Sequence, residues 1–229
     1  MLKLLRIIGL VVAAGLAAGG ARATPVLSGS FTADNYIYVY LSTSASQRGT
    51  LIGSGSNWQS TFYTTPASLN PGTTYYLNVE AINGDSGGYS AGGFIGDFTL
   101  SDGATFSNGQ NELLTSTSGW LGGYNDSNGT NTAQPWLQPV GSVVSEGANG
   151  VSPWGTVSNV SGSASWIWAS DLQSGNGSSP GSQCASCTVD FQTAFTTAAV
   201  PEPASVALFV AGLAGRGFAL RRRRSTRPL

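Results

Sequence analysis

The chain has 229 residues, of which 9% are charged, with 32 glycines and no histidine. Its formal net charge of −1 hides a segregation: nine of the ten Lys and Arg residues lie before residue 24 or after residue 199, and residues 24–199 keep ten acids against Arg48 alone. The lack of histidine excludes Ser-His-Asp and Cys-His catalysis and histidine metal sites, and an acidic body disfavours nucleic acid as a partner.

The N-terminus opens with Lys3 and Arg6, continues as an apolar run over 7–18, and reaches Ala21-Arg22-Ala23. A short positive region, an apolar core too short for a comfortable membrane span and an Ala-x-Ala site predict a signal peptide over 1–23, in which Ala21 and Ala23 set the cleavage. The alternative is an amphipathic or core helix of the folded domain. With cleavage after Ala23, the mature chain starts at Thr24.

Residues 24–199 are long enough for one domain with a sizeable core. They are rich in Gly, Ser, Thr and Asn, yet aromatic residues recur at intervals, unlike a disordered segment. No stretch sustains a helical period; short β-branched and aromatic runs alternate with turn residues instead. Strands are expected over 29–33, 36–42, 50–52, 58–63, 74–82, 94–100, 112–116, 165–169 and 188–195, with a turn at Pro71-Gly72. The strand over 36–42 is apolar on both faces, Tyr36, Tyr38 and Tyr40 opposing Ile37, Val39 and Leu41, as in a central strand. In 74–82, Tyr75, Leu77, Val79 and Ala81 face inward and Asn78 and Glu80 outward; in 188–195, Val189, Phe191 and Phe195 face inward and Asp190 and Gln192 outward. Trp166 and Trp168 share one face of their strand and are read as core. Strands this short and this numerous predict an all-β fold, a two-sheet β-sandwich or jelly roll.

One stretch of the body has a family likeness. Phe31-Thr32-Ala33-Asp34-Asn35 leads into the tyrosine-rich strand; Gly53-Ser54-Gly55, Trp58 and Phe62 follow, then Leu69-Asn70-Pro71-Gly72-Thr73, the strand ending Ala81-Ile82-Asn83, and Gly92-Gly93-Phe94-Ile95. This order resembles the galactose-binding-like jelly-roll modules attached to many bacterial carbohydrate-active enzymes, over about residues 29–120. The resemblance implies a β-sandwich and makes sugar binding an expectation.

Beyond it, Trp120, Tyr124, Trp136 and Trp154 sit among Gly, Asn, Ser and Pro. On exposed loops they form stacking platforms for sugar rings; the alternative is that they cover the ends of the sandwich as satellite core. Asn125-Asp126-Ser127-Asn128-Gly129 and Asn83-Gly84-Asp85-Ser86-Gly87 offer oxygen ligands around a glycine turn. One aspartate per loop is too few for a tight calcium site, and Asn-Gly segments are turn formers first. No metal or other cofactor is therefore expected, Asp126 being the residue that would carry a weak calcium site. Cys184 and Cys187 are the only cysteines, and in an exported protein a disulfide between them is the default. Zinc would need two further ligands. A paired-carboxylate glycosidase would draw on Glu80, Glu112 or Glu146, none of which lies in a recognisable motif.

The chain closes with Val200-Pro201-Glu202-Pro203, an apolar stretch over 204–220 interrupted by Arg216, and then Arg221, Arg222, Arg223 and Arg224. Seventeen residues make a helix of about 25 Å, slightly short of the roughly 30 Å hydrocarbon core, so it spans with thinning or snorkelling. The arginines then hold the C-terminus on the cytoplasmic side; read alone they would suit a nucleic-acid-binding tail. Pro201, Glu202 and Pro203, the apolar helix and the arginine cluster, in this order, resemble the PEP-CTERM sorting signal of bacterial surface proteins. That resemblance implies processing by an exosortase-type membrane enzyme, a transient anchor in the inner membrane, and delivery to the surface or extracellular matrix of a Gram-negative bacterium. The expected organisation is thus a signal peptide (1–23), a β-sandwich (24–199) and a sorting signal with a transmembrane helix (200–229). The function expected is that of a non-enzymatic surface or matrix protein with a structural or adhesive role in exopolysaccharide. The alternatives are a carbohydrate-binding module and a carboxylate glycosidase.

Overall fold

The computed structural model describes residues 23–84, 91–126, 135–170 and 187–199. Thr24–Ala198 forms a compact unit. In chain order its strands are β1 (Val26–Asp34), β2 (Tyr36–Ser42), β3 (Thr50–Gly55), β4 (Phe62–Tyr63), β5 (Ala67–Ser68) and β6 (Thr74–Asn83), then β7 (Gly93–Leu100), β8 (Glu112–Leu114), β9 (Leu121–Asp126), β10 (Val143–Ala148), β11 (Ser165–Ala169) and β12 (Cys187–Thr196). They form two antiparallel sheets. Sheet I runs β10-β11-β7-β1-β4, with β5 also on β1 and β8 also on β7; sheet II runs β3-β2-β6-β12-β9. This is the β-sandwich that the alternating pattern predicts. The signal helix and transmembrane helix expected at the termini lie outside the described residues.

The alternation that defines each strand also builds the core. Phe31, Phe94 and Phe98 of sheet I and Leu77, Val79, Val189 and Phe191 of sheet II are fully buried in one cluster. Phe94 sits at its centre, its ring 5.3 Å from Phe191 of the other sheet and 5.4 Å from Trp120 in an edge-on contact. The tyrosine-rich β2 is internal as expected, paired with β3 on one side and β6 on the other, with Ile37 and Val39 in the core. A second cluster lies on the opposite face of β7, where Ile95 meets Trp154, Val157, Val160, Ala164 and Trp166. The Asn149 side chain organises the segment that forms it, donating to Val157 O and Val160 O at 3.0 Å each and accepting from Val157 N at 2.8 Å. Trp166 and Trp168 are both fully buried, but in different clusters: Trp166 stacks on Trp154 at 4.3 Å, whereas Trp168 meets Phe191 at 6.0 Å.

Three departures from the expected strands have local causes. The strand expected over 58–63 shrinks to Phe62–Tyr63, because Asn57 Oδ1 accepts from Gln59 N and Asn57 O from Ser60 N, a side-chain-driven turn that competes with pairing. Strand β9 was hidden by Gly122 and Gly123, which read as loop residues. Its backbone packs so closely that a Cβ at Gly122 would lie 2.7 Å from Val143 Cγ1. Strand β10 carries a bulge between Ser145 and Gly147, which breaks its period.

Removing the ring at the centre of the core tests this packing. Phe94→Ala is expected to cost about 3–5 kcal/mol, read as a lower urea midpoint at unchanged m-value. A loss below about 1 kcal/mol would place Phe94 outside a close-packed core.

Candidate functional site

The four aromatics expected on loops are not gathered. Trp120 is 4% exposed and belongs to the main core, its indole N–H donating to Leu114 O at 3.2 Å. Trp154 is 3% exposed, stacked on Trp166, and donates to Asp34 Oδ2 at 2.9 Å. Neither presents a ring face to solvent: in place of an exposed platform, Trp120 is part of the main core and Trp154 of the smaller second cluster. The reason is that each indole finds both an aromatic neighbour and an acceptor for its N–H. Tyr124, opposite the inward Val189, is half-buried against the core at the edge of sheet II. Trp136 is half-buried and donates to Ala45 O at 3.3 Å.

The last contact marks an arrangement that alternation alone does not reveal. Asn78, Glu80, Asp190 and Gln192 do project from the outer face of sheet II, as expected, but they are buried rather than solvated. Two segments, 43–49 and 135–140, supply partners over this face. Asn78 Nδ2 donates to Gln47 O and Arg48 O at 3.0 and 2.9 Å, and Gln192 Nε2 donates to Ala45 O at 2.9 Å and Asn78 Oδ1 at 3.0 Å. Glu80 and Asp190 are direct cross-strand neighbours on β6 and β12. Arg48 reaches Glu80 with a guanidinium-to-carboxylate distance of 3.0 Å and lies 5.2 Å from the centre of the Tyr40 ring. Asp190 Oδ2 accepts from Asn125 Nδ2 at 2.6 Å and from Leu137 N at 3.0 Å.

Two carboxylates this close cannot both ionise cheaply in a buried place. Burial is the main cause raising the Asp190 pKa to about 8; the Leu137 N–H opposes it and the neighbouring Glu80 adds to it. Burial likewise pushes the Tyr40 hydroxyl up to about 12. The site is therefore a closed polar layer in which Glu80 pairs with Arg48, and Asp190 keeps its proton to a higher pH than an ordinary carboxyl. One signal for it was present in the sequence. Arg48 is the sole Lys or Arg between residues 24 and 199, and a lone cation in an acidic body has a carboxylate as its natural partner.

The other candidates are dispersed. Glu80 belongs to sheet II, whereas Glu112 and Glu146 lie on β8 and β10 of sheet I, so the three carboxylates are not gathered. Of the two loops with oxygen ligands around a glycine turn, the first has Asn125 engaged with Asp190 and with Pro135 O at 2.9 Å and its residues 127–131 outside the described residues, as are 85–87 of the second. Among the described residues no group of three or more His, Cys, Asp or Glu side chains is placed to hold a metal. Cys187 is fully buried at the start of β12, while Cys184, its expected partner, lies outside the described residues, as do the signal-cleavage residues Ala21 and Ala23 and the sorting residues Pro201, Glu202, Pro203 and Arg221 to Arg224.

Two measurements test the polar layer. Arg48→Met leaves Glu80 buried without its cation and is expected to destabilise the fold by about 2–4 kcal/mol in denaturant titrations, with Glu80→Gln added to Arg48→Met recovering part of the loss. For Asp190, the folded pKa stands above the unfolded value of about 3.9, so its contribution to stability is fully present below about pH 4 and is lost as pH rises towards 8. Asp190→Asn is expected to flatten the fall in stability between pH 5 and 8, and an unchanged slope in that variant would show that Asp190 is ionised throughout.

Comparison with known proteins bears on the tail alone. The family model described as the PEP-CTERM protein-sorting motif matches residues 199–224. No curated protein and no solved structure matches the chain, so the likeness of the body to galactose-binding-like modules has no support beyond the shared β-sandwich class. The motif implies export, association with the membrane through an anchored intermediate, exosortase processing and sorting to the cell surface.

Proposed function

We propose that this chain is a non-enzymatic protein of the bacterial surface or extracellular matrix, whose sandwich serves a structural or adhesive role in exopolysaccharide. The observation that carries this reading is the sorting motif at residues 199–224, immediately following a compact unit that ends at Ala198. Signal-peptide cleavage after Ala23 and processing at Pro201 to Pro203 would release that unit from both targeting segments. The non-enzymatic part of the reading draws support from the carboxylates: Glu80 is buried against Arg48, and Glu112 and Glu146 are held on different strands of the other sheet. The alternative of a glycan platform made from Trp120, Tyr124, Trp136 and Trp154 loses support because Trp120 and Trp154 are core residues.

The test is the intact mass and location of the protein in its native cells. A chain starting at Thr24 and ending at Pro201 to Pro203, recovered outside the cell, is the expected result. A chain that keeps Arg221 to Arg224 and stays in the membrane fraction would replace transient anchoring with a permanent one, and a Glu→Gln change that abolished hydrolysis of a polysaccharide would overturn the non-enzymatic reading.

A further inference from the structure

The outer face of sheet I is only partly covered. Segment 149–164 packs over Ile95 and Trp166, and beside it a groove of about 390 Å³ remains, bounded by Asn159 on one side and Tyr63 on the other. Its floor is set by strand register. Ser30 of β1 stands opposite Tyr63 of β4 and Asp97 of β7, so these three form one cross-strand row; Ser28 and Thr99 form the next. With strands about 4.8 Å apart, Tyr63 and Asp97 lie roughly 10 Å apart in this row, with the largely buried Ser30 between them.

The groove is built from fixed parts. Ser30 Oγ donates to Asn159 O at 2.6 Å, and Thr61 Oγ1 donates to Ser158 O, which ties the wall to the floor; Ser28 Oγ and Thr99 Oγ1 share a 2.9 Å hydrogen bond. Asp97 is half-buried and accepts a backbone hydrogen bond from Ser161. Against this rigid floor Tyr63 is 58% exposed, an open aromatic ring among the described residues.

We propose that this groove binds a neutral saccharide, one pyranose ring packing on Tyr63 while its hydroxyl groups bond to Asp97 and the serine and threonine hydroxyls. The chemistry selects this ligand class. An apolar ring face needs an aromatic partner, and a diol needs fixed acceptors and hydroxyls. Anionic ligands are disfavoured, since the lining holds a carboxylate and no Lys or Arg, and the body's sole cation, Arg48, is engaged with Glu80 on the other sheet. The inference rests on the matrix reading above and gives it a point of contact distinct from the four aromatics expected from sequence.

The test is affinity electrophoresis of the full chain in non-ionic detergent, through gels containing a neutral glucan, galactan or mannan, with alginate as the polyanionic control. Retardation by at least one neutral polysaccharide is expected. Loss of one stacking contact in Tyr63→Ala is expected to weaken it about five- to tenfold, Asp97→Asn to weaken it severalfold, and Tyr63→Phe and Trp136→Ala to leave it unchanged. Retardation by alginate alone, by no gel, or equally in wild type and Tyr63→Ala overturns the proposal, and loss in Trp136→Ala with retention in Tyr63→Ala moves the site to sheet II. Fractionation of cells carrying Tyr63→Ala separates this inference from the sorting reading: a variant delivered to the surface but no longer held in the matrix supports both, whereas failure of the wild-type chain to reach the surface removes the sorting reading whatever the gels show.

Discussion

Glu80 and Asp190 stand opposite each other on neighbouring strands, both out of reach of water, and the outer half of sheet II is organised by the need to satisfy them. An isolated buried carboxylate is too costly to survive in a marginally stable fold. Arg48 pairs with one; the other takes hydrogen bonds from Asn125 and the Leu137 backbone, and burial raises its pKa. Arg48 and Leu137 come from segments 43–49 and 135–140 and Asn125 from the neighbouring β9, so satisfying the carboxylates also pins two connections across the sheet. The arrangement makes an open β-face into an interior, at the expense of any substrate access to its acids.

Sheet I solves a related problem with aromatic surface. Its outer face would leave Ile95 and Trp166 in water, and segment 149–164 covers them, with Trp154 stacked on Trp166 and its N–H bound to Asp34. The Asn149 side chain gives that segment its internal hydrogen bonds in place of a strand ladder. Coverage stops at Asn159, and past that edge the sheet shows hydroxyls, Asp97 and Tyr63 to solvent. The two outer faces thus differ in kind: that of sheet II carries a sealed polar layer, and that of sheet I is partly sealed by aromatics and partly open.

The contrast between Trp154 and Tyr63 shows how far residue type alone reaches. Trp154, between Pro153 and Gly155, has the local sequence of an exposed loop aromatic and is core; Tyr63, inside an expected strand, is the exposed ring. Composition around a residue reports on backbone conformation, which is why the turn at Pro71-Gly72 and the strands β2 and β11 were readable. It does not report on which distant segment comes to lie over that residue. Glu80, Asn78, Asp190 and Gln192 illustrate the same limit, since period-2 alternation assigns a side to each side chain but not what covers that side.

The amino-acid sequence by itself determined the β-sandwich class, the inward stripes of β6 and β12 and the sorting signal at residues 199–224. These follow from short-range patterns: alternation every second residue, turn chemistry, and a motif read as a contiguous string. Tertiary structure decided which polar groups are buried, that Arg48 meets Glu80, that Trp120 and Trp154 join the cores, and that a groove opens beside Tyr63. Each of these depends on contacts between residues tens of positions apart, whose meeting is set by sheet register and loop path and leaves no signature in the spacing of residues along the chain.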